Sequence, residues 1–378
     1  MVLLLSVLLL IYGFYMGGLQ YVIADISATF VADANRQGTG IGILVSVPHI
    51  FSLFFPVLMG AISDKVGKKK VLLSFIVVFS VGSAITGGAG NMVLYLVGVT
   101  MVGIGHSVCE SVSTAVLSDL DPAKSAQNIN LSQGFLSAGA MAGPVLMQWL
   151  INATDATWRY LFFISGACFM AMFVLLTVTA FPASQPAAKE RNEGHKIPLF
   201  GSVVLLACMA SMMLYIGTEK GIGNFTESYF SKELLREDLG ALAITMYWGG
   251  MTVSRFVLRL KQAKLRRTLM LHFAIVATLF VVLRISSFAY LSLAVCFFIG
   301  FAAAPLWSGL VAYAAQQHPE HSGAVAGMMS SSGSVGSTIA PFVMGVVSDS
   351  FGYGNGFLLM SVFAWCATLL LLFAKKRK

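Results

Sequence analysis

The hydrophobic pattern of the chain consists of long apolar runs separated by short polar loops. A helix needs about 20 residues to cross a hydrocarbon core of ~30 Å, and the runs are long enough for this. They lie near residues 3–28, 39–62, 71–89, 92–117, 127–151, 158–181, 198–220, 239–258, 268–285, 288–315, 323–347 and 356–374. The pattern predicts an all-α membrane protein with twelve transmembrane helices, called spans 1 to 12 below.

The composition excludes the main alternatives to a membrane protein. Hydrophobic residues make up 57% of the chain and charged residues 11%, whereas a soluble domain has about 25% charged residues. The mean hydropathy is +0.82. These values exclude a soluble enzyme, a nucleic-acid-binding domain and a disordered protein. The five cysteines all lie in apolar runs without a CxxC pair, so we expect no disulfide framework, no metal site and no cofactor.

The basic residues indicate the orientation of the chain. Most of the 24 Lys and Arg residues fall on the cytoplasmic side if both termini are cytoplasmic, as the positive-inside rule requires. The one long polar interruption separates six spans from six. It predicts an N-terminal half at 1–181, a cytoplasmic linker at 182–196 and a C-terminal half at 197–378. The expected location is a bacterial inner membrane, and the expected state is a monomer.

Two short patterns recur in the two halves with the same orientation. Each half has a tyrosine six residues before a glycine in its first span, and a glycine five residues before a proline in its fifth span. The positions are Tyr12 and Gly18, Tyr215 and Gly221, Gly139 and Pro144, and Gly336 and Pro341.

A third match relates segments of opposite orientation. Residues 56–67 and 341–352 are identical at six of twelve positions, although span 2 runs inward and span 11 runs outward. Such a match is typical of the inverted repeats of alternating-access carriers. It makes Asp349 the outer counterpart of Asp64.

The loop after span 2 carries the most specific motif. Its residues Gly60, Asp64 and Gly67, followed by the lysines at 68–70, resemble the signature loop of the major facilitator superfamily. Arg255 and the basic residues after it resemble a degenerate copy after span 8. The resemblance implies a secondary transporter with two six-helix halves. It also implies gating roles for these motif residues and a contact of Asp64 with the start of span 11, near 322–323. If the inverted match holds, the same resemblance implies that the Asp349 carboxylate lies against the free amides at 38–40. In the alternative interpretation, Ser348 and Asp349 only end span 11 in water.

Within that superfamily, the second half resembles the fucose–galactose–glucose proton symporters. The resembling segments are Glu219 to Phe225, Trp248 to Phe256, Gly300 to Pro305 and Gly336 to Pro341. This resemblance implies proton-coupled uptake of a sugar-like or organic solute. Sugar porters of this kind tend to carry an acidic residue in the outer part of span 1, where this chain has Gln20.

An acidic residue inside span 4 is the first candidate for chemistry. A charge at mid-bilayer costs about 2.5–3.5 kcal/mol on insertion scales, so Glu110 needs a reason to be there. His106 lies four residues earlier and therefore on the same helical face. Such a pair can take and release a proton near neutral pH. The alternative is a buried hydrogen-bonded pair that only joins helices.

A pair of glycines in span 7 marks a second candidate region. Gly221 and Gly223 follow Glu219 and Lys220, and they would allow the helix to unwind and expose Asn224 to substrate, as in discontinuous carrier helices. In the alternative interpretation, Glu219 and Lys220 lie at the water boundary, where the lysine snorkels.

Other polar and aromatic residues in the spans are candidates for a substrate and proton cavity. Each has an equally simple packing or hydrogen-bonding alternative. They are His49 in span 2, Asn130 and Gln133 in span 5, Tyr247 and Trp248 in span 8, and Trp307 in span 10.

No nucleotide-binding GxxxxGK[ST] loop is present, so transport has to be driven by a gradient. The sequence predicts a secondary active transporter, not an enzyme, whose partners are a small-molecule substrate, a coupling ion (H⁺) and the lipid bilayer, without nucleic acid. A proton-coupled effluxer is the alternative within transport, favoured by the pattern from Gly139 to Pro144. A lipid flippase and a non-transporting membrane sensor are alternatives of another class.

Overall fold

A computed structural model describes residues 1–120, 125–154, 156–181, 202–258, 264–317 and 322–374. This part of the chain contains α-helices and two short 3₁₀ turns and no β-strand. The α-helices are α1 Val2–Phe30, α2 Gln37–Ser52, α3 Phe55–Val66, α4 Lys68–Gly87, α5 Met92–Leu120, α6 Ser125–Thr154, α7 Arg159–Val178, α8 Val203–Lys232, α9 Gly240–Val257, α10 Leu265–Ile285, α11 Ala289–Gln317, α12 Ser322–Phe351 and α13 Tyr353–Phe373. The predicted all-α class is confirmed.

Nine of the described helices are long and apolar enough to cross a membrane: α1, α4, α5, α6, α7, α8, α10, α11 and α13. The predicted span 2 is not one helix. It consists of α2 with 16 residues and α3 with 12 residues, because Pro56 in the first turn of α3 has no N–H to continue the hydrogen-bond ladder of α2. The count of twelve spans stays a prediction.

The chain forms two compact units. Unit 1 contains residues 1–26 and 47–194, and unit 2 contains residues 27–46 and 195–378. The first residues of α2 thus belong with the C-terminal part of the chain, through the contact of Asp349 described below. The predicted linker at 182–196 lies outside the described residues.

In unit 1, glycines allow α1 and α6 to approach at backbone distance. A Cβ added to Gly139 would lie 2.0 Å from the carbonyl oxygen of Leu10, and one added to Gly17 would lie 2.1 Å from that of Ala140. Membrane helices associate through such small residues because lipid provides no hydrophobic force between helices. This packing sets the distance between α1 and α6, and hence between the polar side chains on them.

Unit 2 repeats this packing at the matched positions. A Cβ on Gly336 would lie 2.0 Å from the carbonyl oxygen of Met213. Met213 comes two residues before the repeat tyrosine Tyr215. In unit 1, Leu10 likewise comes two residues before Tyr12. Helices α10, α11 and α12 each begin 197 residues after α4, α5 and α6 (265 minus 68, 289 minus 92 and 322 minus 125). The parallel repeat read from the sequence therefore extends to helix bounds and packing.

Two cations at equivalent places support the same repeat. The Lys69 ammonium donates to the carbonyls of Thr177 and Thr179 at the end of α7, at 2.7 and 2.9 Å. The Arg266 guanidinium, 197 residues later (266 minus 69), donates to the carbonyls of Leu371 and Leu372 at the end of α13, at 2.8 and 3.1 Å. Cations are favourable at helix C-termini because the free carbonyls there carry partial negative charge.

Candidate functional site

The most developed polar site in unit 1 surrounds Glu110. The His106 Nε2 and Glu110 Oε2 atoms are 3.2 Å apart, and the Gln133 amide donates to Glu110 Oε1 at 3.1 Å. The Tyr12 ring stacks on the His106 imidazole, with centroids 3.2 Å apart and planes 9° apart. We call Tyr12, His106, Glu110 and Gln133 the Glu110 cluster.

Three helices build this cluster. His106 and Glu110 lie one turn apart on α5, so their contact is local. Gln133 comes from α6, and Tyr12 comes from α1, which the glycine contacts hold against α6. The side chains of His106 and Glu110 are 15% and 34% exposed. The site is thus recessed, but water or solute can reach the carboxylate.

The chemistry available to the cluster is proton transfer. Both carboxylate oxygens of Glu110 face nitrogen groups, and one of these, the imidazole of His106, can itself gain or lose a proton near neutral pH. The amide of Gln133 orients the carboxylate without changing charge. Tyr12 holds the imidazole plane. A proton at this site therefore has two adjacent carriers in a fixed geometry.

The remaining candidates of unit 1 differ in exposure. Gln20 in α1 is 2% exposed. His49 is half-buried beside Pro48 in α2, and Asn130 is exposed on α6. The other candidate on α6, Gln133, donates to Glu110, and its own carbonyl accepts from the Ser137 hydroxyl at 2.9 Å within the helix.

The predicted unwinding of span 7 is wrong. Helix α8 is continuous through Gly221 and Gly223. Asn224 is 4% exposed, and its amide donates to the carbonyl of Lys220 at 2.8 Å within the helix. The space at Gly221 is filled by Met360, whose sulfur would lie 2.4 Å from an added Cβ. The glycine serves helix packing, so it does not open the helix.

The aromatic candidates of unit 2 differ in exposure. Tyr247 and Trp248 on α9 are 1% and 2% exposed and form an edge-on ring pair with centroids 5.3 Å apart. This favours the packing interpretation for both. Trp307 on α11 is 38% exposed and lies at the position that matches Glu110 in the 197-residue repeat (307 minus 110).

The signature loop joins α3 to α4 at Gly67. This residue has a φ of 102°, a conformation that only glycine adopts readily, and its N–H bonds the carbonyl of Ser63 at 3.0 Å. Lys68 forms an ion pair with Asp119 at the end of α5. Gly60 and Asp64 lie on α3. The structure does not describe the side chains of Asp64 and of residues 322–324. The predicted contact between them therefore lies outside the described part of the chain.

The matched segment in unit 2 has the same local geometry. Gly352 joins α12 to α13 with a φ of 89°, and its N–H bonds the carbonyl of Ser348 at 2.9 Å. The inverted match between 56–67 and 341–352 thus extends from residue identities to backbone conformation.

The contact predicted for Asp349 is present. Its carboxylate accepts hydrogen bonds from the amides of Gly38 and Thr39, both at 2.7 Å, and from the Thr39 hydroxyl at 2.6 Å. These amides belong to the first turn of α2, which has no intrahelical acceptors for them. The carboxylate also compensates the partial positive charge of the helix start. We call Asp349, Gly38 and Thr39 the Asp349 latch.

Sequence reasoning missed three residues next to these sites. Tyr12 is identified from the sequence only as a marker of the repeat. Asp119 is not identified from it. An acidic residue in the last turn of span 4, close to the lysines at 68–70, could have indicated the ion pair with Lys68. Lys232 is the third. Its ammonium donates to the Gln37 side chain at 2.6 Å and to the Tyr353 hydroxyl at 3.3 Å, close to the Asp349 latch.

Relatives of the chain are multi-pass transporters. The family profile described as Major Facilitator Superfamily matches residues 3–258 and 208–378. An uncharacterized MFS-type transporter, YfkL of Bacillus subtilis strain 168, is 22% identical over 369 residues, covering 91% of this chain and 89% of YfkL. A multidrug resistance protein B homologue of Mycobacterium tuberculosis is 23% identical over 210 residues, covering 55% of this chain and 37% of that protein.

Solved structures have the same fold. A bacterial homologue of the human lysosomal transporter Spinster aligns with a TM-score of 0.76 and 14% identity over 99% of this chain and 96% of its own. The Escherichia coli fucose:proton symporter FucP aligns with a TM-score of 0.62 and 16% identity over 98% of both chains. The chain therefore belongs to the Major Facilitator Superfamily, and it is a multi-pass membrane transporter of small molecules rather than an enzyme.

Proposed function

We propose that this chain is a proton-coupled secondary transporter that works by alternating access, with Glu110 as the protonation site. The Glu110 cluster is the observation that carries the proposal. A carboxylate inside an apolar span is costly when charged and unpaired. Here it has an imidazole at 3.2 Å and an amide donor at 3.1 Å, so either protonation state has a partner.

Proton binding changes the charge of the cluster in a way that transport can use. The charge of the His106–Glu110 pair depends on the total number of protons that the two side chains bind. A conformation that exposes the site to water favours the charged form, and one that seals it favours the neutral form. Proton occupancy therefore biases the conformational equilibrium, which is the requirement for coupling.

Twelve spans with both termini in the cytoplasm form the proposed topology, in a bacterial inner membrane. The distribution of Lys and Arg supports this orientation. A monomer is the proposed working unit.

The Asp349 latch supports the alternating-access part of the proposal. It joins the start of α2 to the end of α12 by three hydrogen bonds to one carboxylate. In the proposed topology these residues lie at the outer ends of their helices, so the latch stabilises states with that end closed. Asp64 in the signature loop has the corresponding role at the cytoplasmic end.

For the direction of transport, efflux is a second candidate beside uptake of a sugar-like or organic solute. The pattern from Gly139 to Pro144 in α6 and the relatives named as efflux transporters or multidrug resistance homologues favour efflux. Gln20 also favours efflux, because it is a buried amide, 2% exposed, at the position where sugar porters tend to carry an acidic residue.

The coupling proposal is tested by Glu110→Gln, with Glu237→Gln as the matched control, since Glu237 is exposed in the turn between α8 and α9. Purified protein in liposomes with a trapped pH dye is exposed to L-fucose or ethidium, which represent uptake and efflux. We expect the wild type and Glu237→Gln to move protons with one of the two probes, and Glu110→Gln to move none.

The infrared band of a protonated carboxyl gives a readout that needs no substrate. In the difference spectrum between the wild type and Glu110→Gln, a carboxyl band that belongs to Glu110 should be present and should titrate. Proton movement by Glu110→Gln at the wild-type rate would place the coupling site elsewhere.

A further inference from the structure

A cavity lies in unit 2, at the start of α10. Its volume is about 490 Å³, within the range of about 300–1,000 Å³ that is typical of small-molecule sites. The polar side chains that line it come from the start of α10 and from the last two turns of α11. They are Lys264, Arg266, Arg267, Tyr313, Gln316 and Gln317. We call these six residues the basic pocket. Among the described residues, no acidic side chain lines it.

Two side chains of the basic pocket are fixed by the end of α13. The Arg266 guanidinium donates to the carbonyls of Leu371 and Leu372. The Tyr313 hydroxyl donates to the carbonyl of Ala374. Part of the pocket wall is therefore held in place by the protein itself, which lowers the entropy that a ligand has to overcome on binding.

The other two cations of the pocket have no protein partner in the described part of the chain. Lys264 and Arg267 are exposed, and neither side chain forms a hydrogen bond or an ion pair with a described residue. Residues 239–319 contain no Asp or Glu, so this stretch supplies no counter-charge. The positive-inside rule explains cations at a cytoplasmic helix end, but it does not require them to converge on a cavity.

Unit 1 compensates its cations at the corresponding place. There, Asp119 at the end of α5 forms an ion pair with Lys68 at the start of α4. The residue that matches Asp119 in the 197-residue repeat is Gln316 (316 minus 119), whose amide carries no charge and can donate hydrogen bonds. The positive charge at the start of α10 therefore lacks the acid that unit 1 has, and an anion from outside the chain can take its place.

We propose that the basic pocket binds a phosphate group, carried by an anionic lipid headgroup or by a soluble phosphate ester. The planar guanidinium of Arg267 matches two phosphate oxygens, the Lys264 ammonium adds a flexible positive charge, and the glutamine side chains donate N–H groups. In the proposed topology these helix ends are cytoplasmic, where anionic headgroups are present and basic pockets between helices bind them. The site is independent of the Glu110 cluster, and so is its test.

A set of ligands separates the contributions of phosphate, charge and acyl chains: dioctanoyl phosphatidylglycerol, dioctanoylglycerol, glycerol 1-phosphate and octanoate. Binding to the purified full-length protein in a neutral detergent is measured by calorimetry and by the shift in thermal stability. We expect a phosphate compound to bind, and dioctanoylglycerol and octanoate not to bind at the same concentration. Stronger binding of the phosphatidylglycerol identifies a lipid as the ligand, and equal or stronger binding of glycerol 1-phosphate identifies a soluble ester. Binding of neither phosphate compound, or equal binding of dioctanoylglycerol or octanoate, overturns the proposal.

A double variant tests the two cations without a protein partner. Lys264→Gln with Arg267→Gln should weaken binding of the phosphate compound about 10- to 100-fold, because hydrogen bonds between charged groups are the strong ones. Lys65→Gln with Lys70→Gln is the matched control, since it removes two exposed cations beside the Gly67 turn of unit 1. It should leave the affinity within about twofold, because charges outside the pocket are screened by salt. Equal weakening by both pairs would show attraction by net charge alone and would overturn the proposal.

A substitution at the repeat position tests the comparison of the two units. Gln316→Asp gives unit 2 the acid that unit 1 has as Asp119, and it should weaken phosphate binding about tenfold or more, because like charges repel. Gln316→Asn keeps the amide and should change the affinity less. Thermal stability without ligand shows whether each variant is folded. Unchanged affinity in a folded Gln316→Asp protein contradicts the proposal, and if that variant does not fold, the exposed pair of Lys264 and Arg267 decides it.

Discussion

Replacing Asp349 by asparagine removes the charge of the latch and keeps its shape. One oxygen can still accept from the start of α2, but the new NH₂ group is a donor and faces backbone donors that now bond at 2.7 Å. A carboxylate at a helix N-terminus contributes up to about 2 kcal/mol when partly buried, and losing a cap costs about 1 kcal/mol. We expect a loss of about 1–2 kcal/mol, which changes the ratio of latched to unlatched protein about 5- to 30-fold.

Electron spin resonance distances give a direct measurement. Labels on Ala34 and Glu237, both exposed, report the distance between the α1–α2 loop and the α8–α9 turn, in a cysteine-free background. In Asp349→Asn the distance distribution should gain or enlarge a longer component. Thr39→Val, which loses only the hydroxyl bond of 2.6 Å, should shift it in the same direction by less.

Asp33→Asn is the matched control, because Asp33 is an exposed acid near the same helix start and accepts one bond, from the amide of Asn35 at 3.0 Å. It should leave the distribution unchanged. Asp64→Asn should shift the equilibrium between outward-open and inward-open states towards inward-open, opposite to the shift expected for Asp349→Asn. Labels on Lys70 and Gln316 would measure this shift. No shift in Asp349→Asn, or shifts of the same sign for Asp64 and Asp349, would refute the two-latch reasoning.

Two further predictions concern stability and assembly. Gly139→Ala places a Cβ 2.0 Å from the carbonyl oxygen of Leu10 and should lower the free energy of unfolding by about 1–3 kcal/mol, as overpacking does. Denaturant unfolding in detergent measures this against Gly90→Ala, whose added Cβ meets nothing within 4 Å. A protease cut within 182–196 should leave the two fragments associated in detergent, because the halves are expected to pack without the linker; separate elution of the fragments would contradict this.

The helices and the repeat could be predicted from the sequence because lipid imposes them locally. In a bilayer, backbone groups have to bond within their own segment, so a run of apolar residues already specifies a helix. The register of the repeat follows from the same local spacing. The latch could be predicted as well, since residues 341–352 carry the Ser-Asp-x-x-Gly pattern of residues 60–67, and the same pattern produces the same turn at Gly352 as at Gly67.

The candidate site was predictable only where its contacts are local. His106 and Glu110 meet because they are one turn apart on α5. Tyr12 and Gln133 join them from α1 and α6, and nothing in the local sequence of either residue specifies that meeting. It depends on how closely the glycines let two helices approach.

The tertiary structure also decided the role of residues whose local signal was ambiguous. Glycines can loosen a helix or admit a neighbour, and in α8 the thioether of Met360 occupies the space at Gly221. The helix therefore stays intact, and Asn224 satisfies its amide within it. Apart from the division of span 2 into α2 and α3, the sequence by itself determined the described helices, the turns at Gly67 and Gly352 and the acids placed near them, because these follow from interactions over a few residues. Which side chain meets each acid was decided by helix packing, because the free energy of a buried polar contact depends on partners far away in the chain.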